Sequence, residues 1–242
     1  MTADQDLRAS VRKSYSRGGL IWDPADLWHT EVHRVLQAAL NRFGGQLPHK
    51  SGIVLDIGSA GSEQAIPNSS YVHLDLVEQL LRYCTLGVVG DAHALPFRDA
   101  VFDCVISVGP VINYCSLIEV IAEMHRVCKP GGHVIIHAEL SNSCEFVFSN
   151  VYKSQSAIVN TEYRGSERQW IYSRRYVMNA VTSVGFRIIE QEYFMIIPAF
   201  AVGIGLSRNS ASRLSVLDSF IKNLHWVREF SDSVIILCEK SA

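Results

Sequence analysis

A chain of 242 residues suits one domain, or one domain with an elaboration. Its 24 acidic and 22 basic residues give a net charge of -2 and a pI near 6.5, which removes the global electrostatic case for a nucleic-acid binder. A hydrophobic share of 48% against 19% charged calls for a large core and excludes global disorder.

The six cysteines, Cys84, Cys104, Cys115, Cys128, Cys144 and Cys238, are scattered and form no C-x-x-C pair. A zinc site and a disulfide framework are therefore not expected, and the natural setting is a reducing cytoplasm. Met1 to Arg17 is polar and of mixed charge, unlike a signal peptide. The longest apolar stretch, Met195 to Leu206, contains Pro198, Gly203 and Gly205 and is too short and broken to span a bilayer. It reads as packing or a homodimer contact. A local basic patch is possible at Arg164, Arg168, Arg174 and Arg175.

In chain order, Met1 to Gly19 reads as a mobile arm with a helix around Leu7 to Tyr15. Asp26 can cap a helix from Leu27 to Phe43, whose apolar positions Val32, Val35, Leu36, Ala39, Leu40 and Phe43 form one stripe and which Gly44-Gly45 would end. Gly52 to Ile57 is a short buried strand. It breaks into Gly58-Ser59-Ala60-Gly61, small residues that let a ligand lie against the backbone at the strand's carboxyl end. An abbreviated crossover with Pro67-Asn68-Ser69-Ser70 turn chemistry leads to a second strand, Tyr71 to Leu74, ending at Asp75.

A helix over Leu76 to Tyr83 comes next, then a third strand over Gly87 to Gly90 ending at Asp91, and a loop over Ala92 to Phe97. Val101 to Val108 is a near-continuous apolar run, the mark of a strand covered on both faces. Leu117 to Val127 is a helix, Lys129-Pro130-Gly131-Gly132 a stop and turn, and His133 to His137 a fifth strand. Ser141 to Gln169 is polar and aromatic without a clean period, a lid or insertion. Helices over Arg175 to Val184 and Leu214 to Trp226, and strands over Phe186 to Tyr193 and Ser233 to Glu239, complete the chain.

This alternation predicts an α/β, Rossmann-like, doubly wound and mostly parallel sheet with helices on both faces and an antiparallel C-terminal edge. The expected division is a helical cover over 1–50, a nucleotide-binding core over 51–140, an acceptor-site insertion over 141–174, and completion of the same sheet over 175–242.

Several segments together carry a family resemblance. Val54-Leu55-Asp56-Ile57-Gly58 resembles the first motif of the class I S-adenosylmethionine-dependent methyltransferases. Tyr71 to Asp75 resembles their second strand with its terminal acid. Gly90-Asp91-Ala92-His93-Ala94-Leu95-Pro96-Phe97 is similar to their G-D-A-x-x-L-P-F segment, and Phe102-Asp103-Cys104-Val105-Ile106 to F-D-x-V-I. Glu123 to Gly132 is similar to E-x-x-R-V-L-K-P-G-G. The glycine loop departs from the family's D-x-G-x-G-x-G, with Ala60 and Ser62 at its last two glycine positions.

The resemblance implies S-adenosyl-L-methionine as cofactor, S-adenosyl-L-homocysteine as product, and a small-molecule or sugar acceptor, with no nucleic acid and no metal. It implies that Asp56 and the loop Gly58, Ser59 and Ala60 hold the amino-acid end of the cofactor. Asp75 would accept the ribose hydroxyls, Leu76 would pack on the adenine, Asp91 and Ala92 would bond its edge, and Val108, with Ser107, would line the methionine end.

A general base is needed only where the acceptor atom carries a proton. Candidates at the carboxyl edge of the sheet are His137, Asn113 and Tyr114. His29 and Tyr15 belong to the N-terminal cover, and Tyr163, Trp170, Tyr172 and Tyr176 could line an acceptor pocket. A non-catalytic binding protein of the same fold and a nicotinamide-dependent oxidoreductase are the competing readings. The missing G-x-G-x-x-G weighs against the oxidoreductase.

Overall fold

Five parallel strands set the frame. The computed structural model describes residues 3–16, 23–47, 52–61, 66, 69–161, 167–222 and 224–241. β1 (Ile53–Ile57), β2 (Ser70–Asp75), β3 (Gly87–Val89), β4 (Phe102–Ser107) and β5 (Cys128–Glu139) are joined by β8 (Phe186–Phe194) and β9 (Ser233–Lys240) in the order β3-β2-β1-β4-β5-β9-β8. β1 to β5 pair in parallel, whereas β9 runs antiparallel to both β5 and β8. The sheet is thus Rossmann-like with an antiparallel end, as expected. The order reverses between β1 and β4, which opens a crevice at the carboxyl ends of those strands.

Strand alternation divides the core. Val134, Ile136 and Ala138 of β5 and Val234 and Ile236 of β9 pack under α3 (Leu117–Val127) and α4 (Arg174–Ser183). Ile135, Ile235 and Leu237 face the other way, with Cys104 and Ile106 of β4, toward α2 (Leu27–Gln46) and α5 (Ile196–Gly203). Leu36, Ala39, Leu40 and Phe43 of α2 are fully buried on that second face, so the predicted stripe is the one used. Asp26 caps α2 through the His29 amide, and the helix continues through Gly44-Gly45 to Gln46.

Several elements differ from expectation. The N-terminal segment is not a loose arm: α1 (Ala3–Ser16) packs with Leu7 buried. The predicted turn at Lys129–Gly132 lies inside β5, where Phe102 pairs with Cys128 but Cys104 pairs with His133. Gly131 at φ +72° makes this bulge possible.

The helix expected over Leu76–Tyr83 is reduced to a 3-10 turn at Glu78–Leu81, because the Asp75 carboxylate takes the Val77 amide and turns the chain first. The aperiodic segment holds a hairpin, β6 (Ser156–Thr161) with β7 (Glu167–Tyr172). The helix expected over Leu214–Trp226 is broken into a 3-10 turn and α7 (Asp218–Ile221); its apolar positions Val216, Phe220 and Leu224 face solvent, so no burial holds it continuous.

The expected crossover turn at Pro67-Asn68 lies outside the described residues, as do Arg164 and Tyr163. No helix of the described residues is long and apolar enough to cross a membrane.

Candidate active site

The crevice is a single cavity walled by the carboxyl ends of β1 to β4 and covered by α1 and the start of α2. Asp56, Gly58, Ser59, Ala60, Asp75 and Leu76 line it, as do Asp91, Ala92 and Val108. All the residues expected at the cofactor except Ser107 are therefore brought to one place. Ser107 is not in the wall, although Val108 beside it is.

The loop after β1 is held tightly from within. Gly58 has φ +67°, and a Cβ built there would stand 2.5 Å from a Val111 methyl carbon, so no larger residue fits. The amides of Gly58 and Ser59 donate to the Leu74 carbonyl at 2.8 and 3.3 Å, and that of Ala60 to Asp75 Oδ2 at 3.0 Å. These donors are spent inside the protein, so the loop offers a ligand close approach rather than free amides. Ala60 sits in the left-handed region at φ +50°, without a glycine's freedom.

Three carboxylates differ in what they have left to give. Asp75 accepts from Val77 at 2.9 Å through Oδ1 and from Ala60 at 3.0 Å through Oδ2, and the carboxylate retains acceptor capacity for a hydroxyl. Burial pushes its carboxyl above the usual range, against the lowering by those backbone bonds. Asp56 is 2% exposed, and its Oδ2 has no hydrogen-bond partner among the described residues. It lies 3.7 Å from Nδ1 of His73, its register partner on β2. Burial raises its carboxyl, with His73 pulling the other way.

Asp91 is the most heavily engaged of the three. Oδ1 accepts from the His93 amide at 2.9 Å and from His93 Nδ1 at 2.6 Å, while Oδ2 pairs with Arg8 of α1 at 2.6 Å. Burial raises its carboxyl, but the His93 and Arg8 bonds outweigh that and hold it below the usual range. The Ser116 amide donates to His93 Nε2 at 2.9 Å, which ties this loop to the start of α3.

The late signature explains itself as scaffolding for that loop. Arg126 bonds Glu123 and also reaches the Phe97 and Leu95 carbonyls at 2.8 and 3.0 Å, while Glu123 takes the Leu95 amide at 2.7 Å. The pair clamps residues 95–97 and with them the Asp91-Ala92 edge of the cavity.

Residues 55–136 match the family model described as a methyltransferase domain. This segment is similar to methyltransferase domains. The ubiquinone/menaquinone biosynthesis C-methyltransferase UbiE of Burkholderia mallei (strain SAVP1) is 31% identical over 126 residues, covering 46% of this chain and 52% of its own. The chain spans about half the length of the curated relatives it matches.

Two solved structures share the fold at low identity. One is the Burkholderia thailandensis 1,6-didemethyltoxoflavin-N1-methyltransferase with bound 1,6-didemethyltoxoflavin and S-adenosylhomocysteine. It has TM-score 0.62 and 13% identity, over 100% of this chain and 92% of that one. The other is the [4+2]-cyclase SpnF, with TM-score 0.56 and 13% identity, over 85% and 81%. Since one fold holds both, fold alone does not set the reaction.

The cavity fits S-adenosylmethionine chemically. Asp56 presents an orphaned buried oxygen suited to an ammonium, Asp75 retains acceptor capacity for a diol, and Gly58 lets Val111 pack directly against the loop that lines the cavity. Among the described residues, no three His, Cys, Asp or Glu side chains converge as a metal site.

The base candidates separate. Tyr114 lines the cavity, and its Oη donates to Glu167 Oε2 at 2.8 Å. Asn113 is fully buried, and its amide is committed to the main chain: Nδ2 to the Glu139 and Trp170 carbonyls, Oδ1 from the Glu139 amide. It braces β5 against β7 and is not in the cavity wall.

His137 is 1% exposed behind the wall, stacked on Phe194. Its Nδ1 donates to the Gly109 carbonyl at 2.8 Å, so Nε2 is the bare nitrogen, and burial lowers its pKa and keeps the ring neutral. Tyr15 and His29 do line the cavity, whereas Trp170, Tyr172 and Tyr176 pack in the core. Arg8, Val11 and Val111 in the wall, and Glu167 behind it, carried no local signal in the sequence.

Proposed function

We propose that the chain transfers a methyl group from S-adenosylmethionine to an oxygen or nitrogen of a small-molecule or sugar acceptor, by direct in-line displacement. The observation that carries this reading is the convergence of Asp56, Asp75 and Asp91, each at a strand end, on one cavity at the reversal of the sheet. Asp56 would take the ammonium, Asp75 the ribose diol and Asp91 the adenine amine, with Leu76, Ala92 and Val108 as apolar wall. When bound, the cofactor supplies an electrophilic methyl, so the protein's work is alignment and exclusion of water. Among the three base candidates, Tyr114 is in the wall, and His137 and Asn113 would act by bracing it.

Calorimetric titration with S-adenosylmethionine and S-adenosylhomocysteine tests the reading. Micromolar binding of both is expected, followed by label transfer in an acceptor screen. No heat and no thermal shift with either would sink it.

A second reading is cofactor binding without turnover of a methyl group, since the [4+2]-cyclase SpnF shares this fold. Tight binding with no transfer across a broad acceptor panel would select it. A homodimer through the exposed Phe200 of α5 and Ile204 just after it belongs to the first reading and is checked by sedimentation.

A further inference from the structure

Behind the cofactor cavity lies a buried acid with no role in holding a nucleotide. Glu167 of β7 is 2% exposed, and among the described residues its two oxygens accept from two hydroxyls, Tyr114 Oη at 2.8 Å and Ser14 Oγ of α1. It makes no ion pair among the described residues. Burying a charge without a cation is costly, and a neutral amide of the same shape could hold the same two hydroxyls. An acid kept at that cost, in contact with a cavity-lining hydroxyl, is placed to receive a proton.

The surroundings of Tyr114 narrow the acceptor. Val11, Tyr15, Pro110, Val111 and Cys115 line the same cavity as Tyr114, and the Tyr15 ring meets the Tyr114 ring edge-on, centroids 6.4 Å apart. A flat apolar ring fits such walls. A sugar would bring a rim of hydroxyls with too few partners there. The titratable groups around Tyr114 are Tyr15 from α1, Glu139 from β5 and Glu167 from β7.

We propose that Tyr114 and Glu167 form a proton relay for a phenolic acceptor, an inference that rests on the methyl-transfer reading above. The acceptor oxygen bonds the methyl carbon as the carbon–sulfur bond breaks, the electron pair remaining on sulfur. The phenolic proton passes to Tyr114 Oη as the proton of Tyr114 passes to Glu167. Glu167 ends as a carboxylic acid and returns its proton to water when the site opens. Tyr114 never carries net charge, consistent with a phenol whose ionisation burial opposes. Tyr114 is the catalytic residue, and Glu167, acting through it, is a positioning residue.

The test uses the full chain, methyl-tritiated S-adenosylmethionine, and three probes: p-nitrophenol, phenol and p-methoxyphenol. Glu167→Gln, Tyr114→Phe and Glu167→Asp are compared with the wild type, and S-adenosylhomocysteine binding is measured for each. The wild type is expected to methylate all three phenols with little dependence on their acidity. Glu167→Gln and Tyr114→Phe should lose about 100-fold in kcat on phenol and p-methoxyphenol, the scale of general-base catalysis. They should lose little on p-nitrophenol, which arrives ionised. Glu167→Asp should recover part of the loss, with cofactor affinity unchanged throughout.

Equal losses on all three phenols, or none, would overturn the relay. A wild type that binds S-adenosylhomocysteine but labels no phenol overturns the phenolic acceptor while leaving methyl transfer standing. A wild type that binds no S-adenosylhomocysteine overturns both. Should Glu167→Gln fail to fold, Tyr114→Phe carries the same comparison.

Discussion

Arg8 crosses from the N-terminal helix to Asp91 at the end of β3, its Nη1 2.6 Å from Oδ2, over a sequence separation of 83 residues. The contact joins the cover to the acid expected to read the adenine, so opening of the cover at this edge parts the pair. Arg8→Ala should therefore speed S-adenosylhomocysteine association by up to about fivefold, the scale of a partly exposed ion pair. Stopped-flow fluorescence reads it; an unchanged association rate would show that the pair does not gate entry.

Asp75 holds both the loop after β1 and the expected ribose site. Asp75→Ala should weaken cofactor binding by roughly 1–3 kcal/mol, the cost of removing hydrogen bonds to a buried carboxylate. Calorimetry on a mutant shown to be folded checks it, and unchanged affinity removes the ribose assignment.

Asp218 acts at a distance as a helix cap. Met195, in the left-handed region at φ +57°, offers no side-chain cap to α5, and the Asp218 carboxylate accepts instead from the Ile196 and Ile197 amides at 2.9 and 2.8 Å. Asp218→Ala should cost about 1–3 kcal/mol in urea unfolding, and Asp218→Asn less, because one acceptor survives. Equal stability of Asp218→Ala and the wild type would refute the cap.

Asp232 is a buried acid beside Glu139 and Glu145. Burial first, and then those two carboxylates, push its pKa to about 7. The folded state therefore holds a proton that the unfolded state releases near pH 4. Its contribution to stability declines as pH rises from about 4 to 7 and is level above that. Asp232→Asn should flatten this part of the thermal-stability profile and gain most over the wild type near pH 8. Parallel profiles for the two proteins would contradict the shift.

Much of the sheet was legible because its signals are local. Val54–Leu55, Val72–Leu74 with its one histidine, and Val105–Ile106 are short, mostly apolar segments ending near an acid or a small residue, and backbone sterics with burial act on each directly. The wall residues Asp56, Asp75 and Asp91 were readable for the same reason, each closing a strand.

What was not legible depends on partners far away. The hairpin at Ser156–Tyr172 hides its alternation because Glu167 and Gln169 are polar yet buried, satisfied by Tyr114, Ser14 and Glu139 from other elements. The expected helix at Leu214–Trp226 had the right period, but its apolar side meets water and Asp218 turns inward to serve α5. Asn113 and His137 have base-like chemistry, yet the hydrogen bonds that hold them behind the wall come from backbone that only the assembled sheet brings near.

The place of β9 between β5 and β8 has a consequence for the order of assembly. β8 precedes β9 in the chain but pairs with no other strand, so its backbone stays unpaired until β9 arrives. β9 must also find β5 across a long loop, since His133 pairs with Glu239. Closing that loop is slow compared with the local pairings of β1 to β4. During synthesis the nucleotide half can form early, while β8 waits with both edges unpaired, and the final strand covers one of them, leaving the other as the edge of the finished sheet.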